Sequence, residues 1–366
     1  MTYTEEEKYW IWLASVKEIG PKTFYHILRE FKSAASFFGA AGDAATLTSL
    51  PAKARAAVQA ARSRECVAET VCALESAGIR AVTRLSEEYP ALLVQIDSPP
   101  PVLYVKGSLS GFGDAVAIVG TRRCTRRAAA LTREIAHGLT EAGVTVVSGM
   151  ALGIDAQAHR GAMDAGGQTV AVLGCGADVV YPPENLEIYD YAIKHGAVVS
   201  EYLPGEKPYY GNFPARNRII TGMCAGTLIV ESEMKGGTAI SAAAAIAQGR
   251  DVFAVPGSPA EPMAALPNEL IAQGAVPVRT AQDILAYYGE TGAKTAVTDS
   301  APQAPQEIQL DFLQREIYNL LMQGDMSAQA LASAVSYGQS EINAALTTME
   351  LSGLIERMPG GKYGTR

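Results

Sequence analysis

Short runs of valine, isoleucine and alanine recur between residues 115 and 257, each separated from the next by a longer amphipathic stretch. The runs are "AVAIVG" (115–120), "VTVVSG" (144–149), "TVAVLG" (169–174), "AVVSEY" (197–202), "GTLIVE" (226–231) and "DVFAVPG" (251–257). Near-continuous apolar strands of this kind belong to a parallel sheet with both faces covered, and helices between them make repeated βα units. Upstream, "YWIWLASV" and "FYHILREF" carry apolar residues at helical spacing and are divided by the Gly-Pro turn "EIGPKT". That spacing predicts a wholly helical segment from residue 5 to about 75.

The domain plan follows. Residues 1–80 form a helical domain similar to a SAM-like or helix-hairpin-helix bundle. Only Gly20 stands where a DNA-binding hairpin has two glycines, so a structural bundle is favoured. Residues 81–288 form one enlarged Rossmann-like α/β domain, with "YPALLVQIDSPPPVLYVKG" adding extended pieces ahead of the first βα unit. The stretch 289–307, polar and rich in Ala, Pro, Thr and Gln, reads as a flexible linker. Residues 308–366 contain three helical stretches and a terminal Gly-Gly hairpin, the outline of a winged helix.

Composition narrows the function. The chain has 366 residues, 48% hydrophobic and 19% charged, and a net charge of −8. That length calls for two or three domains with a substantial core. The overall field repels nucleic acid, so any nucleic-acid binding requires a local basic patch. Five cysteines without a C-x-x-C pair and four histidines argue against a zinc site and for free thiols in a reducing compartment. The start "MTYTEEEKYW" lacks the basic and apolar regions of a signal peptide, and no apolar run is long enough to span a bilayer. A cytoplasmic protein is expected.

The candidate chemistry lies in the turns after the strands, where open α/β sheets bind ligands. The first turn, "VGTRRCTRRAAALTRE", supplies Gly120, Thr121 and Arg122, with Arg122 nearest the strand mouth; Arg126, Arg127 and Arg133 read as a solvated helix face. A dinucleotide site requires G-x-G-x-x-G and an acidic residue ending the next strand. Here Gly120 stands alone and the next strand ends in Ser148, so no nicotinamide cofactor is expected. The second turn offers Ser148 and Gly149. It is followed by Asp155 and His159 on one helix face, read as fixing the loop in preference to an acid–base pair. Lys235, Gly236, Gly237 and Thr238 open another helix and make a ready anion site. In "NFPARNRIITG" (212–222), Arg216, Asn217 and Arg218 fall where a helix is predicted to begin. Cations are disfavoured there, which implies an anionic partner. With Phe213 beside them, these turns suit a phosphodiester chain whose bases can stack. A duplex reader would need a helix with polar side chains for base edges, and none is evident here.

The collinear series "VAIVGTR", "VVSGMALGIDAQAHRGA", "TVAVLGCG…YPPEN", "VVSEYLPG", "FPARNRIITG" and "VFAVPG" resembles the DNA-processing protein A (DprA/Smf) family over about 81–285. The resemblance implies single-stranded DNA binding in natural transformation, protection of incoming DNA and help in loading the RecA recombinase. It also implies a homodimer with no established enzymatic activity. By the same resemblance, Arg122, Phe213, Arg216 and Arg218 belong to the DNA pocket, and the region 266–278, with Leu270 and Ile271, to the dimer interface. The sequence departs from the family in having Leu152 and Tyr210 at positions where relatives carry cations, "KGGTAIS" for a Ser-Gly-Ser-rich turn, and no glycine before Asn268. Two other readings compete. Nucleotide phosphoribohydrolases of the lysine-decarboxylase-like family share the sheet, but their glutamate is missing here, since Ala239, Ile240 and Ser241 follow Thr238. A winged-helix regulator would need a basic recognition helix. "SEINAALTTMELSG" instead carries Glu341 and Glu350, with Ile342, Leu346 and Met349 as a buried stripe, which points to a protein contact. Only the wing, with Arg357, Lys362 and Arg366, offers cations.

Overall fold

The computed structural model describes residues 3–42, 47–291 and 312–321, together with 326–327, 330–331, 334, 342, 345–346, 349, 355–358 and 362–365. The chain divides into two compact units, Met1–Thr298 and Asp299–Arg366.

The first unit opens with five helices: α1 (Glu5–Ser15), α2 (Pro21–Phe31), α3 (Ala34–Ala40), α4 (Ala52–Ala61) and α5 (Arg64–Ser76). Thr4 and Glu7 form a reciprocal capping box on α1, satisfying donors that a helix start leaves free. Glu6, one turn behind Trp10, accepts hydrogen bonds from the Ala34 and Ala35 amides and so caps α3 as well. Trp10, Trp12, Phe24 and Phe37 fill the core of this bundle. The bundle is tied to the sheet by polar bonds: the Ala81 amide donates to the Tyr3 hydroxyl, and Ser86 Oγ donates to Glu7.

Nine strands follow: β1 (Arg80–Thr83), β2 (Val102–Gly107), β3 (Ala115–Val119), β4 (Thr145–Ser148), β5 (Thr169–Leu173), β6 (Gly196–Ser200), β7 (Gly226–Ile229), β8 (Asp251–Ala254) and β9 (Val276–Pro277). They lie in the order β1-β2-β6-β5-β4-β3-β7-β8-β9. All seven strands from β3 onward run parallel. The extended pieces ahead of the first βα unit become β1 and β2, an antiparallel addition on the β6 side. Side chains of β3 alternate between faces. Val116 and Ile118 pack beneath α6 (Arg126–Glu141), α7 (Ile154–Asp164) and α12 (Ala281–Thr291). Ala115, Ala117 and Val119 face the cluster holding Ile219, Ile220, Ala242, Leu266 and Leu270 from α9 (Asn212–Gly222), α10 (Gly237–Ala247) and α11 (Ala265–Ala272). Between α7 and α9, α8 (Leu186–His195) joins Ile11 and Leu74 over the outer strands. The order reverses at β3, flanked by β4 on one side and β7 on the other, which puts a crevice at their carboxyl ends.

Two sequence expectations change. The helix expected to begin at Arg216 and Arg218 begins at Asn212. Pro214 is its third residue, and the amide it lacks would have no partner in a first turn, so the helix runs through it. α12 continues to Thr291, three residues into the expected linker; 292–307 lie outside the described residues.

In the second unit, α13 (Phe312–Leu321) precedes β10 (Met326–Ser327), β11 (Ile355–Met358) and β12 (Lys362–Thr365), three antiparallel strands in the order β10-β12-β11. The expected helix at 339–352 is described at Ile342, Ala345, Leu346 and Met349, which are helical and buried with Ile317, Leu321 and Leu331. Arg366 lies outside the described residues. No helix among the described residues is long and apolar enough to cross a membrane. No group of three or more His, Cys, Asp or Glu among them is arranged to hold a metal ion.

Candidate nucleic-acid interface

At the carboxyl end of β3 the chain turns through Gly120, Thr121 and Arg122. A side chain on Gly120 would strike Ile154, so the turn packs closely on α7. The Thr121 amide donates to the Glu231 carbonyl, and its carbonyl accepts from the Ile154 amide, which locks the turn between β7 and α7. Arg122 emerges exposed, its guanidinium 5.5 Å from the centre of the Phe213 ring. Phe213 is half-buried over Gly174 at the end of β5, and its ring lies 5.6 Å from Tyr181, tilted by 32°. Tyr181 is partly exposed in the "YPPEN" loop. Cation, ring and second ring thus form a short amphipathic platform at the strand ends. The geometry suits a charged, planar ligand, because guanidinium and aromatic faces both stack on bases.

The other turns join this platform in part. Asn217 Nδ2 donates to the Gly237 carbonyl at 3.2 Å, bringing the start of α10, with exposed Lys235, Gly236 and Gly237, against α9. Thr238 is buried at that start. Gly236, at φ 148, takes a conformation that glycine tolerates best.

Several expected contacts face inward instead. Ser148 is fully buried, and its hydroxyl donates to the Ile118 carbonyl at 2.7 Å, tying β4 to β3. Gly149 is buried with both backbone groups occupied: its amide donates to Asp155 and its carbonyl accepts from Arg216. Arg216 is only 4% exposed; its Nη1 donates to the carbonyls of Gly149 (2.7 Å) and Val172. Any side chain on Gly149 would strike that guanidinium. Arg218 points elsewhere, pairing with Glu201 at 2.5 Å. The reason is angular. Residues two apart on a helix lie about 200° from each other, so Arg216 and Arg218 are on opposite sides of α9.

Beneath the platform, burial raises the pKa of Asp155, and the Arg216 charge acts against that rise. The Asp155 carboxylate accepts from the amides of Gly149 and Ala151, fixing a turn in which Met150 holds the left-handed φ of 55. Asn185 Nδ2 donates to the Met150 carbonyl from the other side. His159 is fully buried, its Nδ1 2.7 Å from the Thr169 hydroxyl, and burial pushes its pKa down to about 3. Asp155 therefore fixes the loop as expected, whereas His159 ties α7 to the start of β5 instead. The pH consequence has a definite sign. Unfolded His159 binds a proton below about pH 6.5 and the folded side chain does not, so stability present above that pH falls as the solution is acidified. Urea unfolding should show a loss approaching about 1.4 kcal/mol per pH unit below pH 6 from this group. In His159→Gln that portion of the slope should vanish.

Tyr181, Glu231 and Glu201 escaped the sequence reading. Tyr181 sits just before Pro182, in a loop after β5, so its position at a strand end was the available signal. Glu231 receives the amide and hydroxyl of Thr125, the N-cap of α6, at 2.9 and 2.7 Å. The two residues are 106 positions apart, and no local pattern joins them.

The chain and its fold are similar to those of known proteins. A family described as DNA recombination-mediator protein A matches residues 80–289, and the DprA winged helix domain matches residues 301–361. Protein Smf from Synechocystis is 34% identical, over 76% of this chain and 78% of its own length. The DNA processing protein DprA of Streptococcus pneumoniae is 42% identical over 56% of this chain and 72% of its own. An X-ray structure of DprA from that species superposes with a TM-score of 0.67 at 33% identity, covering 78% of this chain and 98% of the other. DprA from Helicobacter pylori, whose structure concerns its single-stranded DNA binding mode, gives a TM-score of 0.53 at 28% identity, covering 59% and 98%. With the sheet, the strand-end turns and the winged helix all accounted for, the chain belongs to the DNA recombination-mediator protein A (DprA/Smf) family.

Proposed function

We propose that this protein binds single-stranded DNA at the Arg122–Phe213 platform and acts as a recombination mediator in the cytoplasm, shielding the strand and helping RecA load onto it. One observation carries the reading. Arg122 is an exposed cation stacked on an aromatic ring at a strand mouth, with no carboxylate paired to it among the described residues. The related DprA described with single-stranded DNA supports the choice of ligand. Anisotropy of a labelled oligonucleotide from about 50 to 200 mM salt is the test. Arg122→Ala should weaken binding and lower the salt slope by about 0.7, the share of one phosphate on a single strand. Equal affinity for duplex and single strand, or an unchanged slope in the variant, sinks the reading.

The binding role includes no hydrolytic step. Asp155 is engaged by the loop amides and His159 by Thr169 of β5, and Ala239, Ile240 and Ser241 follow Thr238 where the hydrolases carry a glutamate.

The reading extends to a homodimer through α11. Leu270 is buried in the sheet's core, while Ile271 is only partly buried at its margin. Joining two platforms raises affinity by about 10²–10⁴ without new contacts. Light scattering should find Ile271→Glu folded, monomeric and weak in binding; a folded dimer of unchanged affinity counts against α11. Leu270→Glu should unfold, since it buries a charge in the core.

A further inference from the structure

A second cavity lies away from the platform, where α2 meets the segment linking β1 to β2. It encloses about 580 Å³ and is lined by Lys22, Tyr25 and Arg29 from α2, by Arg84 just after β1, and by Ile96 and Asp97. Lys22, Tyr25 and Arg29 fall at i, i+3 and i+7, one face of the helix. Arg84 crosses from the other wall, its guanidinium 5.3 Å from the centre of the Tyr25 ring. Three cations and one carboxylate therefore share the wall in a chain whose net charge is −8. No ion pair to Lys22, Arg29 or Arg84 occurs among the described residues. α2 adds to the field: its first turn has no acidic residue, and its N-cap, Gly20, offers no side-chain cap. Free amides and Lys22 thus present positive charge together.

The cavity repeats the chemistry of the platform, a guanidinium over an aromatic ring beside unpaired cations. The two stations are also connected. Phe213 stands in the first turn of α9, and Gly222 at the far end of that helix packs closely against Ile96 of the cavity wall. A small anion would need only one or two of the cavity cations. A row of three spread over two walls matches the repeating charge of a phosphodiester chain.

We propose that the Lys22–Tyr25–Arg29–Arg84 cavity is a second station for single-stranded nucleic acid, taking phosphates and one stacked base of a strand that has crossed α9 from the Arg122–Phe213 platform. The inference rests on the platform being the first station. It assigns the helical bundle a part in holding the strand and sets a minimum length for full engagement.

Two oligonucleotide lengths separate the stations, one of about 4 nucleotides and one of about 16, the span of single-strand site sizes. The full-length protein and its Lys22→Gln/Arg29→Gln/Arg84→Gln variant are titrated with each over a salt series. All three side chains are exposed, and Lys22→Gln/Arg29→Gln keeps the Arg84–Tyr25 stack as a control on folding. The triple variant should lose about 2 from the salt slope on the longer strand and nothing on the shorter; the double variant should lose about 1.4. A slope of 2 is about a 16-fold difference in affinity across a fourfold change in salt. An unchanged slope on the longer strand overturns the proposal and leaves the platform intact, as does an equal loss on both lengths. Failure of the parent protein to bind either length removes the platform and this station together. Binding of inorganic phosphate that depends on Lys22 and Arg29, with the longer strand's slope unchanged in the variants, would identify a free-anion site instead, and also overturns the proposal.

Discussion

Replacing Arg216 with methionine is expected to lower folding stability by about 2–6 kcal/mol, about 1–3 kcal/mol for each buried carbonyl left without its donor. The guanidinium is 4% exposed, donates to the Gly149 and Val172 carbonyls, and supplies the positive charge that keeps the buried Asp155 carboxylate tolerable. Without it, two acceptors lose their donor and Asp155 is charged without compensation. Urea unfolding monitored by circular dichroism measures the loss. The deficit has a direction in pH as well. In the variant, the folded pKa of Asp155 lies above the unfolded value, so stability present at low pH is lost as pH rises through it. Adding Asp155→Asn removes the orphaned charge and should restore part of the deficit. A variant as stable as the parent, with weaker DNA binding alone, would show that the arginine acts on ligand and not on the fold.

Phe213→Ala should reduce affinity for single-stranded DNA by about 5- to 150-fold, the equivalent of about 1–3 kcal/mol for one stacked base. The ring is half-buried, so folding must be checked alongside binding. The variant should keep the parent's helical signal and unfold cooperatively, because the ring rests on Gly174 at a strand end and is not part of the sheet's interior clusters. Phe213→Trp should hold or raise affinity, since a larger aromatic face stacks at least as well. Normal affinity in a folded Phe213→Ala protein would reject the stacking role. Loss of cooperative unfolding would instead assign the ring to the scaffold.

The architecture was readable because burial on both faces leaves a strong imprint: each of the six apolar runs from "AVAIVG" to "DVFAVPG" contains a strand. The strand-end turns were readable for the same reason, as polar and glycine-rich breaks directly after those runs. Side-chain direction was not. In "NFPARNRIITG" the two arginines look equivalent, yet one lies under the Gly149 turn and the other joins Glu201. The fork depends on where the helix begins, and the apolar run opening at Ile219 and Ile220 made the start look later than Asn212. Ser148 misled similarly, since a hydroxyl at a strand mouth has the same letter whether it faces a ligand or the next strand's carbonyl. The Thr125–Glu231 bond and the α2 cavity join residues from distant parts of the chain, and no window along the sequence contains both halves.

That Glu231 carboxylate has a consequence for competition in a crowded cell. In dinucleotide-binding sheets, the start of the helix after the first strand receives a pyrophosphate. Here the same position is occupied by an acid belonging to the protein itself. A tethered group behaves as a ligand at millimolar effective concentration. Free nucleotides of the metabolic pool would have to evict it while making only one set of contacts. A polymer has no need to, because it can run past the occupied cleft and draw on many weak contacts at once. The built-in acid therefore leaves the start of α6 with its capping hydrogen bonds already made and a negative charge where a free nucleotide's phosphates would have to sit.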